Sequence, residues 1–145
     1  MNFQDCIKFA NENCFCHLAT MDEDQPRVRM FELWFADKGG FYFHTTSTKR
    51  VIKQMHRNPK VEVCFYNKNG PANVGTMMRI AGEVEFVGDL EVRAKLLDEK
   101  PFLNALGTGE SSDPMLTVFR IHTGEAYFWT MEDNMKEMKV ERLKF

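Results

Sequence analysis

Along the first dozen positions the apolar residues Phe3, Ile7 and Ala10 recur at helical spacing behind Asn2, a residue suited to cap a helix, which predicts a short amphipathic helix over 2–13. A compact apolar run from Cys14 to Thr20 follows and reads as a strand. Asp22-Glu23-Asp24-Gln25-Pro26 has turn chemistry, so the chain should double back as a hairpin. In the returning stretch, Arg27 to Ala36, strand periodicity puts Arg27, Arg29, Phe31, Leu33 and Phe35 on one face and Val28, Met30, Glu32 and Trp34 on the other. That first face begins cationic and ends apolar.

Asp37-Lys38-Gly39-Gly40 predicts a tight turn into a second hairpin, whose strand Phe41-Tyr42-Phe43-His44-Thr45 is rich in β-forming side chains. Thr46, Ser47 and Thr48 offer hydroxyl caps to a helix over 48–57 that turns Val51, Ile52 and Met55 inward and stops at Asn58-Pro59. Strands are expected over Lys60–Tyr66 and Met77–Val87, with a loop at Asn67-Lys68-Asn69-Gly70-Pro71 between them. Asp89 should cap a helix reaching Lys100, ended by Pro101. Gly107 to Pro114 has the composition of a mobile loop, and Met115 to Thr130 of a long strand or hairpin. The tail Met138–Phe145 alternates weakly and is assigned an edge strand, although Met131, Met135 and Met138 would also suit a turn of helix. The order α-β-β-β-α-β-β-α-β, without repeats or a Pro-, Gly- or Ser-rich linker, predicts a single α+β domain over 1–145. It is mostly antiparallel β, and a closed or split β-barrel with peripheral helices removes its exposed sheet edges.

Composition narrows the function classes. With 145 residues, 43% of them apolar, and with 13 Phe, 3 Tyr and 2 Trp, the chain has the length of one domain and the means to fill its core. Nineteen basic against 21 acidic residues give a net charge of −2, so no global field draws it to nucleic acid or to an anionic membrane, and any anion site must be local. No run approaches the roughly 20 apolar residues needed to cross a bilayer. Met1 to Asp5 carries no basic or long apolar leader, and the expectation is a cytoplasmic protein. Cys6, Cys14, Cys16 and Cys64 are read as reduced, buried thiols: on a strand Cys14 and Cys16 share a face that His17 does not, which argues against a metal site there.

Candidate chemistry concentrates at His44-Thr45-Thr46-Ser47-Thr48-Lys49-Arg50. Here a strand end runs into a helix start, hydroxyls can donate hydrogen bonds, and two cations add charge. An ordinary cap on a solvated basic helix is the plainer alternative. Arg27 and Arg29, on one face of a neighbouring strand, can converge on the same anion, and His44 lies beside it as a hydrogen-bonding or proton-donating group. Trp34 and Trp129 read as core or dimer-interface aromatics.

The succession Arg27-Val28-Arg29-Met30-Phe31-Glu32, Gly40-Phe41-Tyr42-Phe43-His44-Thr45, Ser47-Thr48-Lys49, Asn58-Pro59, Ile80-Ala81-Gly82 and Tyr127-Phe128-Trp129 resembles the flavin-binding split-barrel family of pyridoxamine 5'-phosphate oxidase. The likeness is to its general stress protein and flavin reductase-like branch rather than to the true oxidase. It implies an FMN flavoprotein, an oxidoreductase acting on an unidentified small molecule, in which Arg27, Val28, Arg29, Met30, His44, Thr45, Thr46, Ser47, Thr48, Lys49 and Trp129 contact the cofactor. It further implies a homodimer with shared flavin sites. Two departures bear on the substrate. Glu32 stands where the oxidase has a lysine, and the chain lacks an Arg-and-His segment beyond Trp129, leaving Arg142 as the one tail candidate; both weigh against a phosphorylated B6 substrate. A non-catalytic flavin- or haem-binding protein for storage or stress is the alternative of a different class, haem requiring an axial His, Cys or Met.

Overall fold

A computed structural model describes residues 1–68 and 74–145. Helix α1 (Phe3–Glu12) opens with a capping box in which Asn2 and Asp5 each accept the other's backbone N–H, so the expected cap is present. Strands β1 (Phe15–Asp22) and β2 (Gln25–Glu32) pair antiparallel around a two-residue turn at Glu23 and Asp24, Glu23 taking the left-handed φ of 59°. The turn is thus tighter than the five residues with turn chemistry.

The single strand expected over Arg27–Ala36 is two. Leu33 N–H donates to Cys14 O at 2.8 Å, prolonging the β1–β2 ladder, while Trp34 N–H donates to Tyr42 O at 2.8 Å and starts a different one. Strand β3 (Phe35–Asp37) then pairs with β4 (Gly40–Thr46). The change of partner also changes the parity. Leu33 and Ala36 are buried, and Phe35 turns to the other side, stacked on Tyr42 with ring centroids 4.4 Å apart, so Phe35 does not share the face of Phe31.

Helix α2 comprises Arg50–Arg57 and starts later than the expected 48–57. Its N-cap is Lys49, with no side-chain cap, because the hydroxyl residues before it belong to the sheet: Thr46 pairs with Leu116, and Ser47 N–H donates to Met115 O. Strands β5 (Lys60–Asn67) and β6 (Thr76–Phe86) follow. Of the loop expected between them, Asn69, Gly70 and Pro71 lie outside the described residues. Asp89 caps helix α3 (Leu90–Glu99) through the N–H groups of Glu91 and Val92. The stretch expected to be mobile is tied down. The Asp113 carboxylate accepts from Thr108 and Met115 N–H, which holds its pKa below the usual carboxylate range, and Arg93 donates to Ser111 and Asp113 carbonyls at 2.5 and 2.6 Å. The long strand β7 (Leu116–Trp129) precedes two 3-10 turns, Met131–Asp133 and Glu137–Lys139, and a two-residue strand β8 (Leu143–Lys144). The tail therefore uses both conformations considered for it.

The strands form one mostly antiparallel sheet of order β2-β1-β5-β6-β7-β4-β3, with β8 on β7. Its two ends, β2 and β3, are consecutive in the chain, so the path curls back on itself as a split barrel of the α+β class. A register shift between Gly82 and Val84 bends β6 against β7. Gly82 and Gly124 pair there, and a Cβ on either would press on a backbone carbonyl of the other strand. Inside the barrel Phe43 stacks on Phe119 at 5.2 Å, with Phe31 edge-on to both. Phe145 stacks on Phe3 and meets Phe41 edge-on, closing that end. Outside, Leu96, Leu97 and Leu103 pack on Leu116 and Val118, flanked by Trp34, whose indole N–H donates to Glu99. The four cysteines are free, and burial pushes the Cys16 thiol up to about 12 and the Cys6 thiol up to about 11. Among the described residues no helix is long and apolar enough to cross a membrane.

Phe43 is fully buried at the centre of the triad, so Phe43→Ala should remove about 3–5 kcal/mol of unfolding free energy, read as a lower urea midpoint with unchanged denaturant slope. A loss under about 1 kcal/mol would show that the barrel does not depend on this ring.

Candidate functional site

The inner end of β2 and the first turns of α2 enclose a cleft of about 330 Å³, lined by Asp22, Arg27, Val28, Arg29, Met30, Phe31, Lys49, Arg50, Val51 and Gln54. Arg29 organises it. Its guanidinium donates to Leu18 O at 3.2 Å, to Thr20 Oγ1 at 2.7 Å and to Gln54 Oε1 at 2.8 Å, and Thr20 donates to the same Gln54 oxygen at 2.7 Å. All these acceptors are neutral. Burial, and then the nearby Arg27, lower the Arg29 pKa, which marks a cation held with no carboxylate to offset it. Arg27 has a loose, exposed ion pair with Asp22 at 3.5 Å. Among the described residues neither Lys49 nor Arg50 has a side-chain hydrogen bond or an ion pair. Four cations against one carboxylate, around donors already fixed in direction, make a cleft suited to a phosphate dianion.

The structure gathers Arg27, Val28, Arg29, Met30 and Lys49 around this cleft, Val28 and Met30 at its solvent rim, 67% and 56% exposed. Other expected site residues go elsewhere. Thr45 points inward at the end of β4 with its Oγ1 buried and unpartnered among the described residues. Thr45 and Thr46 line a separate small cavity under Leu97 and Leu103. Ser47 Oγ lies 3.7 Å from Met115 Sδ, and Thr48 is exposed. Trp129, paired with Met77, has a buried indole N–H without an acceptor among the described residues. Glu32, which stands where the oxidase has a lysine, lies 3.9 Å from the Lys100 ammonium, which offsets part of its charge. Arg142 pairs with Glu125 and lies over the Tyr127 ring, 4.4 Å from its centroid.

Sequence reasoning placed Arg50 beside Lys49 as an added charge but missed Gln54 and Thr20. Gln54 carried a signal: on the helical wheel it lies at the edge of the Val51, Ile52 and Met55 stripe, where a polar residue must find buried partners.

His44, half-buried opposite Val118, has a pKa lowered by burial and then by Lys100 and Lys49, against an opposing pull from Glu32. A depressed folded pKa means that the stability tied to the neutral ring is whole above the ordinary value of 6.5 and is lost as the pH falls through the folded value. The His44 ring resonances should titrate with a midpoint below 6.5, and His44→Gln should flatten the acid side of the stability profile. A midpoint at or above 6.5 would contradict the placement.

The sequence profile of the family described as pyridoxamine 5'-phosphate oxidase matches residues 4–130. The pyridoxine/pyridoxamine 5'-phosphate oxidase of Mesorhizobium japonicum is 37% identical over 78 residues, 53% of this chain and 36% of that protein, so the match spans about a third of the length of such curated relatives. A NimC/NimA family protein from Clostridium acetobutylicum superposes with a TM-score of 0.75 at 30% identity, over 98% of this chain and 92% of its own. General Stress Protein 26 from Bacillus anthracis superposes with a TM-score of 0.71 at 17% identity over the whole of both chains, a likeness of fold. With the family profile covering most of the chain and the split barrel reproduced throughout, the chain belongs to the pyridoxamine 5'-phosphate oxidase family.

Proposed function

We propose that this chain is a flavin-dependent oxidoreductase that holds the phosphate of FMN in the cleft between β2 and α2. The observation that carries this reading is Arg29: a half-buried cation oriented by Leu18, Thr20 and Gln54, offset by no carboxylate, and flanked by the free charges of Lys49 and Arg50. A bound flavin supplies hydride transfer at its ring. The chain's own part is to bind and orient. Arg29 gives directed donors, Lys49 and Arg27 add charge at the rim, and Val28 and Met30 offer apolar surface beside them. Glu32 and Lys100 form an ion pair that presents both signs of charge where a lone cation would favour a phosphorylated substrate, which supports a small substrate other than a B6 phosphate.

Lys49→Ala should weaken FMN by about tenfold to a hundredfold, the equivalent of about 1.5–3 kcal/mol for a charge-assisted contact, while riboflavin binding stays nearly unchanged. Fluorescence titration of both ligands checks it. Equal weakening of the two would assign Lys49 to the fold, and absence of FMN binding by the unaltered chain would overturn the flavin reading.

The same reading extends to assembly. Phe15, Val28, Met30 and Tyr66 are exposed on the outer face of neighbouring strands, next to the Arg79–Glu62 ion pair and the indole N–H of Trp129, which has no acceptor among the described residues. A two-fold dimer through this face would cover the apolar side chains and bring a second subunit to the rim of each cleft. Light scattering of the flavin-loaded protein should give twice 16.9 kDa at micromolar concentration. A monomer would leave the shared-site arrangement without support.

A further inference from the structure

Two cavities meet at Gln54. Beside the cleft of about 330 Å³ lies a second of about 220 Å³, lined by Asp22, Arg50, Lys53, Gln54 and Arg57 and sharing Asp22, Arg50 and Gln54 with the first. The spacing within α2 explains it. Arg50, Lys53, Gln54 and Arg57 stand at i, i+3, i+4 and i+7, one side of the helix, while Val51, Ile52 and Met55 pack inward. Among the described residues Arg50, Lys53 and Arg57 have no ion-pair partner, and Asp22, the one carboxylate lining the second cavity, is already beside Arg27.

Gln54 is the independent sign of a ligand. It is only 6% exposed, and its Oε1 accepts from both Thr20 and Arg29, which fixes the orientation of the amide. Its Nε2 has no acceptor among the described residues, in a side chain that walls both cavities. That donor opens onto the two cavities, and beside three cations the acceptor that matches it is an anion.

We propose that the second cavity binds a second phosphoryl group, continuous with the first, with the Gln54 amide donating at the junction and Arg50, Lys53 and Arg57 supplying the charge. This rests on the reading that a flavin phosphate occupies the first cavity. The second phosphoryl comes either from the diphosphate of a flavin dinucleotide or from a separate phosphorylated molecule bound beside FMN. Both sources present the same chemistry to the helix.

The test uses the full chain and a Lys53→Ala/Arg57→Ala double variant, in which both changes are on exposed helix positions outside the first cavity. Calorimetric titrations with FMN, with FAD, and with ADP added to the FMN-loaded or ligand-free chain separate the outcomes. For the dinucleotide source, FAD binds tenfold or more tightly than FMN, and the double variant loses that advantage while FMN affinity changes less than twofold. For the separate source, FAD has no advantage, but ADP binds the FMN-loaded chain and weakens tenfold or more in the variant. Affinities for FAD and ADP that the variant leaves unchanged, or no binding of either, overturn the proposal. If FMN fails to bind while ADP binds the ligand-free chain through Lys53 and Arg57, the flavin reading falls and the second phosphoryl site stands.

Discussion

Two adjacent backbone N–H groups point to opposite ends of one sheet, and most of the molecule follows from that. Leu33 donates to Cys14 and Trp34 to Tyr42, so within a single peptide the chain leaves the first strand pair and joins the last. Backbone donors buried at such a crossing must be satisfied on both sides, which holds β2 and β4 close across the mouth of the barrel. Phe31 is thereby brought onto Phe43 and Phe119. The cationic half of β2 meets the start of α2, and Glu32 comes within reach of Lys100 at the end of α3. The cleft is a by-product of closing the sheet.

Charge in this protein is arranged, not accumulated. The overall balance is slightly negative, yet six cations from β2 and α2 surround the two joined cavities. At physiological ionic strength charges are screened over about 8 Å, so what matters to a ligand is this local set and not the sum over the chain. Arg29 differs from the other five. Being fixed by three neutral acceptors, it gives direction as well as charge, whereas Lys49, Arg50, Lys53 and Arg57 have no ion pair among the described residues and contribute charge alone.

Much of the fold could be read from local chemistry. The Asn2 and Asp89 caps, the paired hairpins and the strands after Pro59 follow from residue types a few positions apart. The break at Leu33–Trp34 was hidden because Phe31, Leu33 and Phe35 keep an unbroken apolar alternation; only the change of hydrogen-bonding partner reveals it. The three hydroxyl residues before α2 misled for a related reason, since a sheet ladder uses the backbone of Thr46 and Ser47 before a helix can use their side chains. In the site, Arg27 and Arg29 were legible as cations on one strand face and Lys49 as a cation at a helix start. The Glu32–Lys100 pair joins residues far apart in the chain, and no local pattern announces it.

The unoffset guanidinium of Arg29 has a further consequence. An anion that settles against it binds only the folded chain, because the unfolded chain has no cleft to offer, and folding is then drawn forward by mass action. At a hundred times its dissociation constant such a ligand adds about 2.7 kcal/mol, a sizeable share of the roughly 5–15 kcal/mol that holds a typical domain together. Part of what keeps this barrel folded would then be dissolved in the surrounding solution, and the amount of folded protein would rise and fall with the supply of a small molecule.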